Sequence, residues 1–256
     1  MSALTRTLGL ARSLVQYYGQ PWRGPRLARL YRPFVPAGGL CFDVGAHVGQ
    51  RTRCWRRIGA RVVTVEPQRA CLAVLRALYG RDAGVEIVAA AVGREPGEAT
   101  LYGAPRTPTV ATLSAEWIER VRRDPGFAHV RWQAEERVRV TTLDALVEAH
   151  GEPDFVKVDV EGHEAEVLAG LSRPLRALSF EYVRATPQVA DACLERLAEL
   201  GEYRYAWSRG ETHRLNGRWL CAGELRRELR DVRLAGASGD VYARRVDVVA
   251  SDARRD

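Results

Sequence analysis

Phe42-Asp43-Val44-Gly45-Ala46-His47-Val48-Gly49 closes an apolar run that starts at Leu40 and leads directly into a helical pattern from Thr52 to Ile58. A strand that ends in a glycine loop and opens a helix is the ligand-facing joint of an open α/β sheet, because the loop faces the crevice and the helix N–H groups point into it. Outward from this joint the same rhythm repeats. RVVTVEP and a helix from Arg69 to Tyr79 follow, then VEIVAAAVG; later come DFVKVDVEG with a helix near His163 to Leu171, ALSFEYV with a helix from Pro187 to Leu200, YRYAWS and DVYARRV. Alternating units of this length predict a mostly parallel sheet of seven strands with helices on both faces and a closing antiparallel pair.

Between Gly93 and Pro153 the rhythm breaks. An EATLYG strand, a proline-containing loop, a short helix from Ser114 to Arg123 and an ERVRVTT strand predict an insertion, residues 94–152, that acts as a lid beside the site. Residues 1–37 read as an N-terminal helical cap, with Leu4, Leu8, Ala11 and Val15 at helical spacing, and residues 38–250 as the single main domain. The final SDARRD is polar enough to be disordered.

The chain has 256 residues, 46% of them hydrophobic, which suffices for one sizeable core. Its formal charge is +7, and all but one of the 39 basic residues are arginine, Lys157 being the exception. Six arginines and no acid precede Asp43, so the body is nearly neutral. A basic leader alone is not the spread of basic and aromatic residues that marks a nucleic-acid face, and no specific nucleic-acid partner is expected. No apolar run approaches the ~20 residues of a membrane span, and Leu8 to Ala11 is too short for a signal-peptide core; the expectation is a soluble, cytoplasmic protein. Cys41, Cys54, Cys71, Cys193 and Cys221 are scattered and never form a CxxC pair, which excludes a disulfide framework or a zinc site and predicts reduced packing residues.

The loop chemistry narrows the ligand. A dinucleotide fingerprint starting at Gly45 requires glycine where His47 and Gln50 stand, so pyrophosphate binding is disfavoured. Asp43 instead lies two residues ahead of Gly45, where a carboxylate suits an ammonium group. Glu66 follows the second strand about 20 residues beyond Gly45, the spacing at which an acid accepts ribose hydroxyls. Ribose and an amino group without phosphate is the chemistry of S-adenosylmethionine; NAD has the ribose without the cation.

A second constellation is Asp154-Phe155-Val156-Lys157-Val158-Asp159-Val160-Glu161-Gly162-His163-Glu164. Period two puts Lys157 and Asp159 on one strand face, with Asp159 at the carboxyl end. If this strand neighbours the first, Asp159 and Asp43 line one crevice. Asp159 is the first candidate for a general base and His163 the second, while Glu181 at the end of SFEYV faces the same crevice. The acids Glu161 and Glu164 read as hard-cation ligands or as helix-start acids offsetting the macrodipole, and no metal is assigned. Trp117, Arg122, Arg123 and Trp132 offer an aromatic platform and anion contacts for an acceptor.

FDVGAHVGQRT, VEP, VTTLDAL and DFVKVDVEGHEAEVLAG, in this order over roughly residues 38 to 182, resemble the FkbM family of S-adenosylmethionine-dependent methyltransferases. The resemblance implies the class I, Rossmann-like methyltransferase fold and O-methylation of a hydroxyl on a sugar, glycan or secondary metabolite. It also implies that Asp43, Gly45, His47, Gly49, Thr52 and Glu66 hold the cofactor, with Ala91 and Val92 near the adenine. This chain has His47 where the family typically has Asn. Asp159, Glu161 and Glu164 match the family's DxEGxE stretch, and Glu161, Glu164 and Trp117 are the candidate acceptor contacts. Two other readings stay open on the residues: a non-catalytic interaction protein using the basic leader, and an NAD(P)-dependent oxidoreductase.

Overall fold

Strands form where apolar residues alternate or run unbroken, and helices where they recur every three or four positions. The computed structural model describes residues 3–20, 23–104 and 107–247, so the SDARRD tail lies outside the described residues. Two helices, α1 (Ala3–Tyr18) and α2 (Arg23–Tyr31), precede β1 (Leu40–Val44), α3 (Gln50–Arg57), β2 (Arg61–Val65), α4 (Arg69–Tyr79) and β3 (Val85–Val88). Then come β4 (Ala91–Val92), β5 (Gly97–Gly103), α5 (Ala115–Val121), β6 (Gln133–Thr141) and α6 (Leu143–His150). The chain continues through β7 (Phe155–Val158), α7 (Glu164–Ala169), β8 (Ala177–Val183), α8 (Pro187–Leu200) and β9 (Tyr203–Arg209), and ends in α9 (Ala222–Arg230), α10 (Val232–Ala235) and β10 (Ser238–Arg245).

Seven strands form one sheet in the order β3-β2-β1-β7-β8-β10-β9. The first five are parallel, and β10 lies antiparallel between β8 and β9, as the sequence predicts. Strand order reverses between β1 and β7, which pair with Val44 opposite Val158, so the crevice opens at their carboxyl ends.

Alternation along β1 divides the core. Leu40, Phe42 and Val44 face one layer with the buried residues of α6, α7 and α8. Cys41 faces the other, where α2 and the turn after it insert Leu27, Tyr31 and Phe34 against Trp55 of α3 and Phe155. Each of the five cysteines is a free thiol, and all but Cys221 are buried. No helix among the described residues is long and apolar enough to cross a membrane.

Two segments differ from the sequence reading. VEIVAAAVG is not one strand: the Ala90 N–H bonds the Val88 carbonyl in a tight turn, and β4 leaves the main sheet to join β6 and β5 in a separate three-stranded sheet. The end of the 94–152 insertion is not lid. Thr142 caps α6 by accepting the Ala145 N–H at 3.1 Å, and Leu143, Leu146 and Val147 enter the main core. Their i, i+3, i+4 spacing after a threonine is a helix signal.

Candidate functional site

The loop after β1 is held from both sides by acids. Asp43 is 2% exposed, and its Oδ2 accepts from the Thr52 N–H at 2.9 Å and the Thr52 hydroxyl at 2.6 Å, fastening the first turn of α3. Thr52 also meets the Thr64 hydroxyl at 3.0 Å and is fully buried, so it stands behind the site as the partner of Asp43 and is not a wall residue. Glu66 accepts the His47 N–H and the Gln68 N–H, each at 2.8 Å, and burial raises its pKa to about 7. Burial lowers the His47 imidazole to about 4, leaving it neutral, and its Nε2 has no partner among the described residues.

Gly45 has φ +79°, and a Cβ there would sit 1.9 Å from the Asp159 carbonyl oxygen, so only glycine allows the two loops to touch. Gly49, at φ +82°, starts α3 behind the loop.

A cavity of about 520 Å³ opens above this loop, bounded by Gly45, His47, Glu66, Ala91, Val92 and His163. Its far side is closed by Leu101, Ala111 and Leu113, residues of the insertion that carry no motif. Apolar walls for a flat ring, a strand-end acid and a glycine that admits no side chain fit a nucleoside with an amino-acid tail.

The loop after β7 is organised by charge. Lys157 is fully buried, 2.8 Å from Asp240 Oδ1 and 3.2 Å from Asp159 Oδ2. Burial disfavours its charge, but these carboxylates outweigh it and hold the ammonium protonated. Arg51 donates to the Tyr31 hydroxyl at 3.2 Å and lies 3.8 Å from Asp240 Oδ2. Against burial, Lys157 and Arg51 together keep Asp240 below the ordinary carboxylate range.

Asp159, Glu161 and Glu181 each contribute one oxygen to a group lying within 4.8 Å of one another. Burial, then the neighbouring carboxylates, push Glu161 and Glu181 well above the usual range. Three such oxygens are a donor set that a hard cation accepts, and equally one that shares protons. They border a second cavity, of about 620 Å³, with Tyr17, Arg51 and Glu211. Asp159, Glu161, Gly45 and His47 line both cavities and so stand at their junction.

Two expected site residues turn away from the cavities, and a third reaches one of them only. Glu164 is turned inward, its Oε1 accepting the Val160 N–H at 3.2 Å and the Gly162 N–H at 3.1 Å, so it shapes the loop and does not face an acceptor. Trp117 is 2% exposed, packed edge-on against Phe127 and Trp132 and over Gly162, where a Cβ would fall 2.0 Å from its ring. The expected open platform is instead a clamp on the loop. His163 directly precedes α7, without a side-chain hydrogen bond to its first turn, and faces the first cavity only; burial lowers its pKa.

Tyr17, Arg51 and Glu211 were not expected at the site. Tyr17 reaches it from the leader and Glu211 from a turn after β9, positions without any local pattern; only Arg51, directly behind the glycine loop, was near a readable signal.

A family model described as the methyltransferase FkbM domain matches residues 43–206. No curated protein matches the chain. Among solved structures, the chain is similar to an O-methyltransferase from Bacillus cereus in complex with SAH, at 16% identity, covering 92% of this chain and 90% of that one with a TM-score of 0.44. It is also similar to precorrin-6y C5,15-methyltransferase from Geobacter metallireducens, at 13% identity over 87% and 86% of the chains with a TM-score of 0.44. A TehB-like SAM-dependent methyltransferase from Corynebacterium glutamicum is similar at 12% identity, over 91% and 100%, with a TM-score of 0.43.

Proposed function

Because the chain belongs to the FkbM methyltransferase family, with S-adenosyl-L-methionine as its cofactor, we propose that it methylates a hydroxyl oxygen of a sugar, glycan or secondary metabolite. The observation that carries the O-directed reading is the convergence of Asp159, Glu161 and Glu181 on the second cavity, where Asp159 and Glu161 also border the first. An alcohol loses its proton before or during attack, and a carboxylate within hydrogen-bond reach can take it.

Asp43, Gly45, His47, Glu66, Ala91 and Val92 hold the cofactor in this reading, Glu66 towards the ribose and Asp43 towards the amino end. Gly49 and Thr52 support the loop from behind. When bound, S-adenosyl-L-methionine supplies a methyl group already activated on a sulfonium. The protein's main task is then to hold the acceptor oxygen in line at about 3 Å and to exclude water.

Within the trio the roles divide by environment. Glu161 and Glu181, whose ionisation is suppressed, remain protonated and donate hydrogen bonds to acceptor oxygens. Asp159, held by Lys157 through one oxygen, receives the acceptor's proton. His163 sits on the cofactor side and serves in neither step. A cytoplasmic setting accords with five free thiols.

Calorimetric titration with S-adenosylhomocysteine, using NADH as comparison, tests the reading. Micromolar binding of the former alone is expected, followed by methyl transfer in a screen of hydroxylated acceptors. Binding of NADH alone, or methylation confined to nitrogen or carbon acceptors, would overturn it.

A further inference from the structure

Beside the second cavity, between α2 and the outer face of α3, lies a cleft of about 400 Å³ lined by Tyr17, Tyr18, Arg23, Gln50, Arg53 and Arg57. No carboxylate is among its lining residues. Its three guanidiniums are also poorly neutralised by their surroundings. Arg53 stands 4.7 Å over the Tyr18 ring and, among the described residues, pairs with no acid. Arg57 likewise has no carboxylate partner among the described residues and lies against Gly24, where a Cβ would be 3.1 Å from its Nη1. Arg23 pairs among the described residues with Glu211 alone, at 3.9 Å, and its buried Nη1 has no hydrogen-bond partner among them.

Other arginines of the fold are treated differently. Arg56 forms two 2.8 Å bonds with Asp82, and Arg226 donates to Asp191 at 2.9 Å. A buried donor without an acceptor costs free energy, and a guanidinium is the side chain best matched to planar oxyanions.

The cleft adjoins the acceptor cavity, with Tyr17 and Gln50 lining both. Gln50 Nε2 is a second buried donor lacking a partner among the described residues. Across this boundary the balance of charge changes: Asp43, Asp159, Glu161, Glu181 and Glu211 outnumber Arg51 around the cavity, whereas Arg23, Arg53 and Arg57 border the cleft. A molecule spanning both is oriented by that contrast, with neutral hydroxyls towards the acids and negative charge towards the arginines.

Resting on the methyltransferase reading above, we propose that the methyl acceptor carries an anionic oxygen group, a phosphate or a carboxylate, and that Arg23, Arg53 and Arg57 bind it. Arg23 of the basic leader thereby acts with α3 in acceptor selection. Charge-assisted bonds from several guanidiniums to one oxyanion give both affinity and orientation.

The test uses the full chain saturated with S-adenosylhomocysteine, titrated at constant ionic strength with inorganic phosphate and, separately, acetate. Binding of phosphate alone identifies a phosphate ester as the acceptor's group, and binding of acetate alone a carboxylate. The double substitution Arg53→Gln/Arg57→Gln is expected to weaken the bound anion at least tenfold while leaving S-adenosylhomocysteine affinity and Tm unchanged. In the acceptor screen, turnover is expected only with phosphorylated or carboxylated hydroxy compounds. No binding of either anion, equal binding by the double variant, or equal turnover of a neutral acceptor by both proteins overturns the proposal. Cofactor affinity on the same samples keeps the readings apart, since its absence defeats the methyltransferase reading itself.

Discussion

Asp43 and Glu66, beside the loop after β1, each accept two hydrogen bonds from groups of the fold, whereas Asp159, Glu161 and Glu181, beside the loop after β7, face one another within 4.8 Å. Both sets are acids at carboxyl ends of neighbouring strands. The first set is occupied in shaping a loop. The second keeps oxygens directed at a cavity, with Glu181 Oε2 unpartnered among the described residues. Residue type and sheet position alone do not separate an acid that builds a site from one that acts in it; the distribution of N–H donors does.

The largest effect that can break this division is on turnover. Asp159→Asn is expected to lower kcat by ~10²–10⁴, the contribution of a general base, and to spare S-adenosylhomocysteine affinity. An unchanged kcat places the proton elsewhere.

Asp43→Ala acts on the other set. It removes the acceptor of the buried Thr52 N–H and hydroxyl, and is expected to cost about 1–3 kcal/mol in urea denaturation and to abolish cofactor binding. Asp43→Asn, which keeps an oxygen for Thr52, should recover most of the stability without the affinity. Recovery of both would make Asp43 purely a loop fastener.

The smallest effect is a pH dependence. Burial raises Glu164, like Glu66, to about 7. A carboxyl group whose pKa is higher folded than unfolded stabilises fully below its unfolded value, ~4.3, and that contribution is lost as pH rises through the folded value. The share of stability that these two groups supply is therefore lost as pH rises from about 4.3 to beyond 7. Glu164→Gln retains an oxygen for the Val160 and Gly162 N–H groups and should remove the part of that loss that Glu164 carries. A pH profile identical to wild type would show that Glu164 titrates alike in both states.

Much of this was legible in the sequence because it rests on local patterns. The glycine loop, the strand-end acids and the parallel units are read from spacing, and the switch point between β1 and β7 follows from their order. Glu164 and Thr52 differ from expectation because a motif does not state which way a side chain turns: Glu164 turns to the backbone N–H groups of its own loop, and the Thr52 hydroxyl donates to Asp43 behind the site. Trp117 was misjudged because burial against Gly162 is a contact over 45 residues of chain. Tyr17, Arg51 and Glu211 converge from three separate elements, and such convergence is a property of packing that no single stretch encodes.

At Gly45 the backbone of one loop presses on the backbone of the other with no room for even a methyl group between them. For anyone exchanging parts between related enzymes, this contact is a seam that cannot be cut: a graft carrying the loop after β1 must bring the loop after β7 with it.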